Sequence, residues 1–106
     1  MSLDPQKMME LASQMQADMA KAQADLADAR VEATSGGGMV TVTASGTGAI
    51  VGLKIDPAAV DPADVEMLQD LILAAITEVS RQSADLQQKS MGAITGGLGG
   101  LGIPGL

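Results

Sequence analysis

Val40-Thr41-Val42-Thr43-Ala44-Ser45, then Gly46-Thr47-Gly48, then Ile50-Val51-Gly52-Leu53-Lys54-Ile55 and Asp56-Pro57 decide the fold. In the first run Val40, Val42 and Ala44 alternate with Thr41, Thr43 and Ser45, and a period of two marks a strand with one buried and one solvated face. The second run alternates in the same way, with Val51, Leu53 and Ile55 on one face and Ile50, Gly52 and Lys54 on the other. The glycines between the runs supply a hairpin turn, and Asp56-Pro57 closes the second strand. Upstream, Val31 to Ser35 reads as a short strand or a helix-to-strand transition, ended by Gly36-Gly37-Gly38. Two good strands and one weak one predict a small antiparallel sheet with both edges open, and open edges invite pairing.

Both flanks of this sheet are helical. Asp4-Pro5 has the form of an N-cap followed by Pro at the first helical position. Met8, Ala12, Met15, Met19, Ala22, Leu26 and Ala29 then recur with a 3.5-residue period, the seam of a coiled coil or long helical hairpin, and Leu11 widens it. No Gly or Pro interrupts Gln6 to Glu32, which predicts a helix roughly 40 Å long. Three short strands cannot cover such a helix, so part of it must project or pack on another helix. Downstream, Asp61 and Pro62 predict the start of a second helix, with Asp64 and Glu66 favouring the positive end of its dipole. Its seam is Val65, Leu68, Ile72, Ala75, Val79 and Leu86, broadened by Leu71 and Ile76, interrupted by Gln82 and predicted to run to about Met91. The organisation is thus a helix–sheet–helix domain over residues 1–91 and a Gly-rich tail over residues 92–106, expected to be disordered or loosely docked.

A chain of 106 residues makes one domain with a thin stability margin. It has no Phe, Trp or Tyr, so the core must come from Leu, Ile, Val, Ala and eight Met. A second copy would deepen it, and the candidate packing positions are Met8, Met15, Met19, Leu26, Leu68, Ile72 and Val79. The absence of Cys and His removes disulfides, thiolate chemistry, the commonest metal ligand and the commonest general base. The glycine runs lead into strands rather than helices, so they are turns and not phosphate loops. The carboxylates Asp56, Asp61, Asp64, Glu66 and Asp70 lack the alternate spacing of a calcium loop. The expectation is a protein that is not an enzyme and holds no cofactor and no metal. The N-terminus lacks the pattern of a signal peptide, and no apolar run approaches a membrane span, which with the missing Cys points to a cytoplasmic protein.

The matching order Gly38-Met39-Val40-Thr41-Val42, Gly46, Leu53-Lys54-Ile55-Asp56-Pro57 and Glu66-Met67-Leu68-Gln69-Asp70-Leu71-Ile72-Leu73-Ala74-Ala75 resembles the YbaB/EbfC family of nucleoid-associated DNA-binding proteins. The Met- and Gln-rich first helix (Met8, Met9, Gln14, Met15, Gln16, Met19) and Pro104-Gly105 near the end fit as well. The resemblance implies an α+β fold of order α-β-β-β-α, a homodimer with helices projecting like tweezer arms, and binding to DNA in the bacterial nucleoid. Thr77 departs from it, standing where members often have Asn, and the cations are sparser than in many members.

Net charge is −7, with the acid concentrated mid-sequence: residues 61–78 hold five carboxylates and no cation. Few cations predict weak, largely non-specific contact with the phosphate backbone. The candidate DNA contacts are Lys7, Lys21, Arg30, Arg81 and Lys89, with Lys7, Arg81 and Lys89 expected toward the far ends of the helices. Gln82, Gln87 and Gln88 flank them as neutral donors. Asp25, Asp28, Glu32, Asp61, Asp64, Glu66 and Asp70 are expected near the body. The alternative is a protein-interaction module that grips another protein with its Met-rich arms and makes no DNA contact.

Overall fold

A computed structural model describes residues 4–99. The order is α1 (Pro5–Asp28), β1 (Arg30–Ser35), β2 (Val40–Ser45), β3 (Ile50–Ile55), a 3-10 turn (Pro57–Ala59) and α2 (Val65–Gly99), the α-β-β-β-α arrangement of an α+β protein. The molecule is long and thin, with extents of 72 × 25 × 16 Å.

Asp4 caps α1 as the sequence predicts, its carboxylate accepting from the Gln6 N–H at 3.1 Å. The helix stops at Asp28, short of Glu32. Ala29 turns to an extended conformation (φ −71°, ψ 152°), and its N–H closes onto the carbonyls of Asp25 and Leu26. The Arg30 guanidinium donates to the carbonyls of Ala27 and Ala29, each at 2.8 Å. A cation belongs there, because the last carbonyls carry the negative end of the helix dipole.

The sheet is antiparallel in the order β1-β2-β3. The short strand at Val31–Ser35 is a full six-residue strand beginning at Arg30. Gly36, Gly37 and Gly38 all take positive φ in the loop between β1 and β2, the region only Gly enters freely. In β3 the simple alternation fails. Thr43 pairs with Gly52 but Ala44 pairs with Ile50, so Val51 is an extra residue in a bulge. Ile50 therefore shares the face of Leu53 and Ile55 instead of the opposite one.

The core lies between the sheet and α2: Ala33, Val40, Val42 and Ala44 from below, Ala75 and Val79 from above. No fully buried apolar side chain in it is larger than Val, and no Met belongs to it. The expected methionine contribution is absent because α1, which carries four of the eight, does not cross the sheet. Two hydroxyls pin α2 in place. Ser35 donates to the Leu71 carbonyl at 2.6 Å, and Ser83 donates to the carbonyls of Ser45 and Gly46 at 3.2 and 3.1 Å. Ser83 is buried and continues the seam where Gln82 interrupted it in the sequence. Asp64, not Asp61, caps α2, accepting from the Met67 N–H at 3.2 Å. Asp61 instead accepts from Ala63 in a separate turn, which the Pro at position 62 favours.

The sequence predicts that α2 ends near Met91, but its hydrogen-bonded turns continue to Gly99. Helix propagation adds one bond per residue, which offsets the roughly 1 kcal/mol each Gly costs. The remainder of the Gly-rich stretch, with Pro104-Gly105, and the leading Met1-Ser2-Leu3 lie outside the described residues.

Candidate nucleic-acid interface

Beyond the Ser45 end of the sheet, α1 and the far part of α2 run side by side as an arm. It is rooted where Leu26 of α1 and Leu86 of α2 converge over Gly46, whose N–H donates to the Ala29 carbonyl at 3.1 Å. Leu26 is the one buried side chain of α1. Past this root, Met19, Ala22 and Leu26 face Gln87, Ser90 and Met91 across a cleft of about 200 Å³. Lys7 lies in the first turns of α1, toward the arm's end, and Lys21 falls two heptads later on the same stripe. Lys89 lies on α2 beside the cleft.

The structure divides the other candidates. Arg81 is not distal: it lies two residues before Ser83, on the outer side of α2 above the sheet. It is clamped by Glu78 at 2.5 Å and Asp85 at 2.8 Å, and these are the ion pairs among the described residues. Arg30 caps α1 at the arm's root. Gln87 donates to the Ser83 hydroxyl and Gln82 sits half-buried, whereas Gln88 stays exposed. Of the packing positions, Leu26 and Val79 are buried, Met15, Leu68 and Ile72 half-buried, and Met8 and Met19 exposed within one chain.

The charge map is sharper than the sequence suggested. The arm, residues 4–24 and 86–99, holds Lys7, Lys21 and Lys89 against Asp4, Glu10 and Asp18, so it is neutral. The rest holds three cations against ten carboxylates and carries the entire net charge of −7. Asp25, Asp28 and Glu32 sit at the arm's root, and Asp61, Asp64, Glu66 and Asp70 at the opposite end of the sheet.

The Arg81 hydrogen bonds hold the Glu78 carboxyl below the ordinary carboxylate range. A carboxyl depressed in the folded state contributes stability above its unfolded value and loses it as pH falls through the folded one. Wild type is therefore expected to lose slightly more stability than Glu78→Gln between pH 6 and pH 3, read by thermal melts. Solvent exposure keeps the difference small.

One surface was missed from the sequence. The contacts of α2 with the sheet fall on β1 and β2, leaving the helix-side face of β3 bare. Ile50 and Leu53 there are 49% and 53% exposed. The adjacent apolar doublet Ile50-Val51 was the available signal, since two apolar neighbours inside an alternating strand mark a bulge. Among the described residues no cluster of three or more His, Cys, Asp or Glu could hold a metal, and no helix is long and apolar enough to cross a membrane.

This arrangement of a helical arm on a three-stranded sheet matches known proteins. The model of the YbaB/EbfC DNA-binding family aligns with residues 1–98. The chain belongs to that family. Among its YbaB/EbfC relatives, a nucleoid-associated protein of Rhodococcus opacus is 47% identical over 103 residues, covering 97% of this chain and 91% of the relative. One from Rhodococcus jostii is 50% identical over 95 residues, covering 90% and 84%. An uncharacterised protein of Helicobacter pylori of known crystal structure superposes with a TM-score of 0.78 at 22% identity, covering 89% of this chain and 99% of that one, and so shares the fold. The YbaB/EbfC family is a DNA-binding family and not an enzyme family.

Proposed function

We propose that this YbaB/EbfC protein is a non-enzymatic component of the bacterial nucleoid, in the cytoplasm, that binds the DNA backbone weakly and with little sequence preference as a homodimer. A role in nucleoid organisation or gene regulation follows from that placement. The observation that carries the reading is the charge map. A duplex approaching this molecule is repelled by the acidic body and meets neutral arms from which Lys7, Lys21 and Lys89 can reach phosphates. Arg30 is a secondary contact at the root. Arg81 contributes least, because its charge is already matched.

The bare helix-side face of β3 supports the homodimer. The helix side of β3 exposes Ile50 and Leu53, and α2 exposes Leu73 and Met67. A two-fold pairing in which each α2 covers the other chain's β3 hides both surfaces at once.

The test is a fluorescence-anisotropy titration of duplex DNA at several salt concentrations. Three cations per chain, doubled, give a log–log salt slope no steeper than about −5, at roughly 0.9 per phosphate neutralised. Lys7→Glu with Lys21→Glu and Lys89→Glu is expected to abolish binding at low salt, while Arg81→Ala changes affinity less than about twofold. Undetectable binding by the wild type, or equal effects of the two variants, would sink the assignment. The exposed Met8, Met9 and Met19 favour one other reading, an adaptable arm that grips a protein. In that case the wild type would show no DNA binding and recover a nuclease-resistant protein partner.

A further inference from the structure

We propose that Met19 and Met91 form an oxidation site at which a peroxide loosens the arm from its root. The two side chains line the same cleft from opposite helices and are 47% and 52% exposed, so small oxidants reach both sulfurs. The chain has no Cys, Trp, Tyr or His to compete, which leaves thioethers as its oxidisable side chains. The thioether sulfur attacks one peroxide oxygen and the O–O bond breaks. The sulfur gains that oxygen and loses two electrons, and the other oxygen leaves as water. The product is a polar sulfoxide on a seam that was apolar.

The consequence depends on where the methionine sits. Met8 and Met9, 53% and 74% exposed, lie toward the free end of α1 and do not line the cleft, so neither has a seam to disturb. Met19 and Met91 lie in the short seam that joins α1 to α2. That seam has little reserve, because α1 buries Leu26 alone. A sulfoxide on either side needs water in a cleft that the thioether shares with Ala22 and Leu26. The α1 backbone then opens more often, and the phosphate contacts it carries lose their fixed spacing. The inference rests on the cleft, not on the DNA reading.

The experiment treats the full chain with hydrogen peroxide, maps sulfoxides by peptide mass spectrometry, and follows amide hydrogen exchange. Wild type and Met8→Leu/Met9→Leu are expected to gain oxygen at positions 19 and 91 and to exchange α1 amides at least about tenfold faster. Met19→Leu/Met91→Leu, a volume-conserving change, is expected to keep wild-type protection after the same treatment. Incubation of oxidised wild type with methionine sulfoxide reductases should restore protection, which serves if the leucine variant fails to fold. Three results overturn the proposal: no sulfoxide at positions 19 and 91, unchanged α1 exchange once both are oxidised, or equal loss of protection in Met19→Leu/Met91→Leu.

Discussion

Ile50→Asp combined with Leu53→Asp is expected to turn the proposed dimer into a monomer and to weaken DNA binding by about 10²-fold or more. Both side chains are half-exposed in one chain, so the carboxylates cost the isolated fold little. In the proposed pairing the same positions lie under the other chain's α2, and a buried unpaired carboxylate costs several kcal/mol. Affinity falls further than the loss of any contact would suggest. Two linked arms bind the same duplex with a high effective concentration for the second, and avidity of that kind is commonly 10² to 10⁴. Thr34→Asp is the control. It lies on the opposite face of the sheet, next to buried Ala33 and paired with Thr41, and should leave association intact. Sedimentation velocity at micromolar concentration and anisotropy at fixed low salt read the two effects. A double variant that still sediments as a dimer would show that β3 is not the interface.

Much of this architecture was legible in the residues. The alternation of Val40, Val42 and Ala44 against threonines located β2, and all three are buried. The Asp4-Pro5 cap and the 3.5-residue seam located α1. The misreadings share a cause: a local pattern was extended past a point where a tertiary interaction decides. Nothing between Gln6 and Glu32 forbids helix, yet pairing of Arg30 with Ser45 takes the chain into the sheet at once. Asp61-Pro62 and Asp64 are equally plausible caps in sequence. Ser83 looks like a surface residue, and only the nearby carbonyls of Ser45 and Gly46 explain its burial. For the candidate interface the list of cations was legible, and so was the clamping of Arg81, though not its place above the sheet. Arg81 has carboxylates three residues before and four after it, a spacing that predicts clamping on a helix. The contrast between neutral arm and acidic body needed the fold, because the arm joins residues 4–24 to residues 86–99.

Gly46→Ala is expected to destabilise the protein more than Gly48→Ala in the same turn, and to loosen α1 in particular. A Cβ at Gly46 would stand 2.7 Å from the Leu26 carbonyl oxygen, 3.0 Å from the Leu26 side chain and 3.1 Å from Leu86. The first of these is backbone held by helix hydrogen bonds, so it cannot rotate away as a side-chain tip would. Overpacking of this kind costs about 1–3 kcal/mol. For a domain near 100 residues each kcal/mol lowers Tm by roughly 4–8 °C. Gly48 makes the comparison, because its problem is of another kind: φ is +97° while the space around a Cβ is ordinary van der Waals contact at 3.7 Å. Gly48→Ala therefore pays only for a left-handed backbone, about 1–2 kcal/mol. The two variants should also differ in where they act. Relieving the clash at Gly46 means moving Leu26, the one buried anchor of α1, away from Leu86, so hydrogen exchange should rise along the arm. Strain at Gly48 stays in the turn between β2 and β3. Urea melts give the size of each effect and exchange gives its place. Equal losses, or an arm unaffected by Gly46→Ala, would mean that α1 is held by something other than its root.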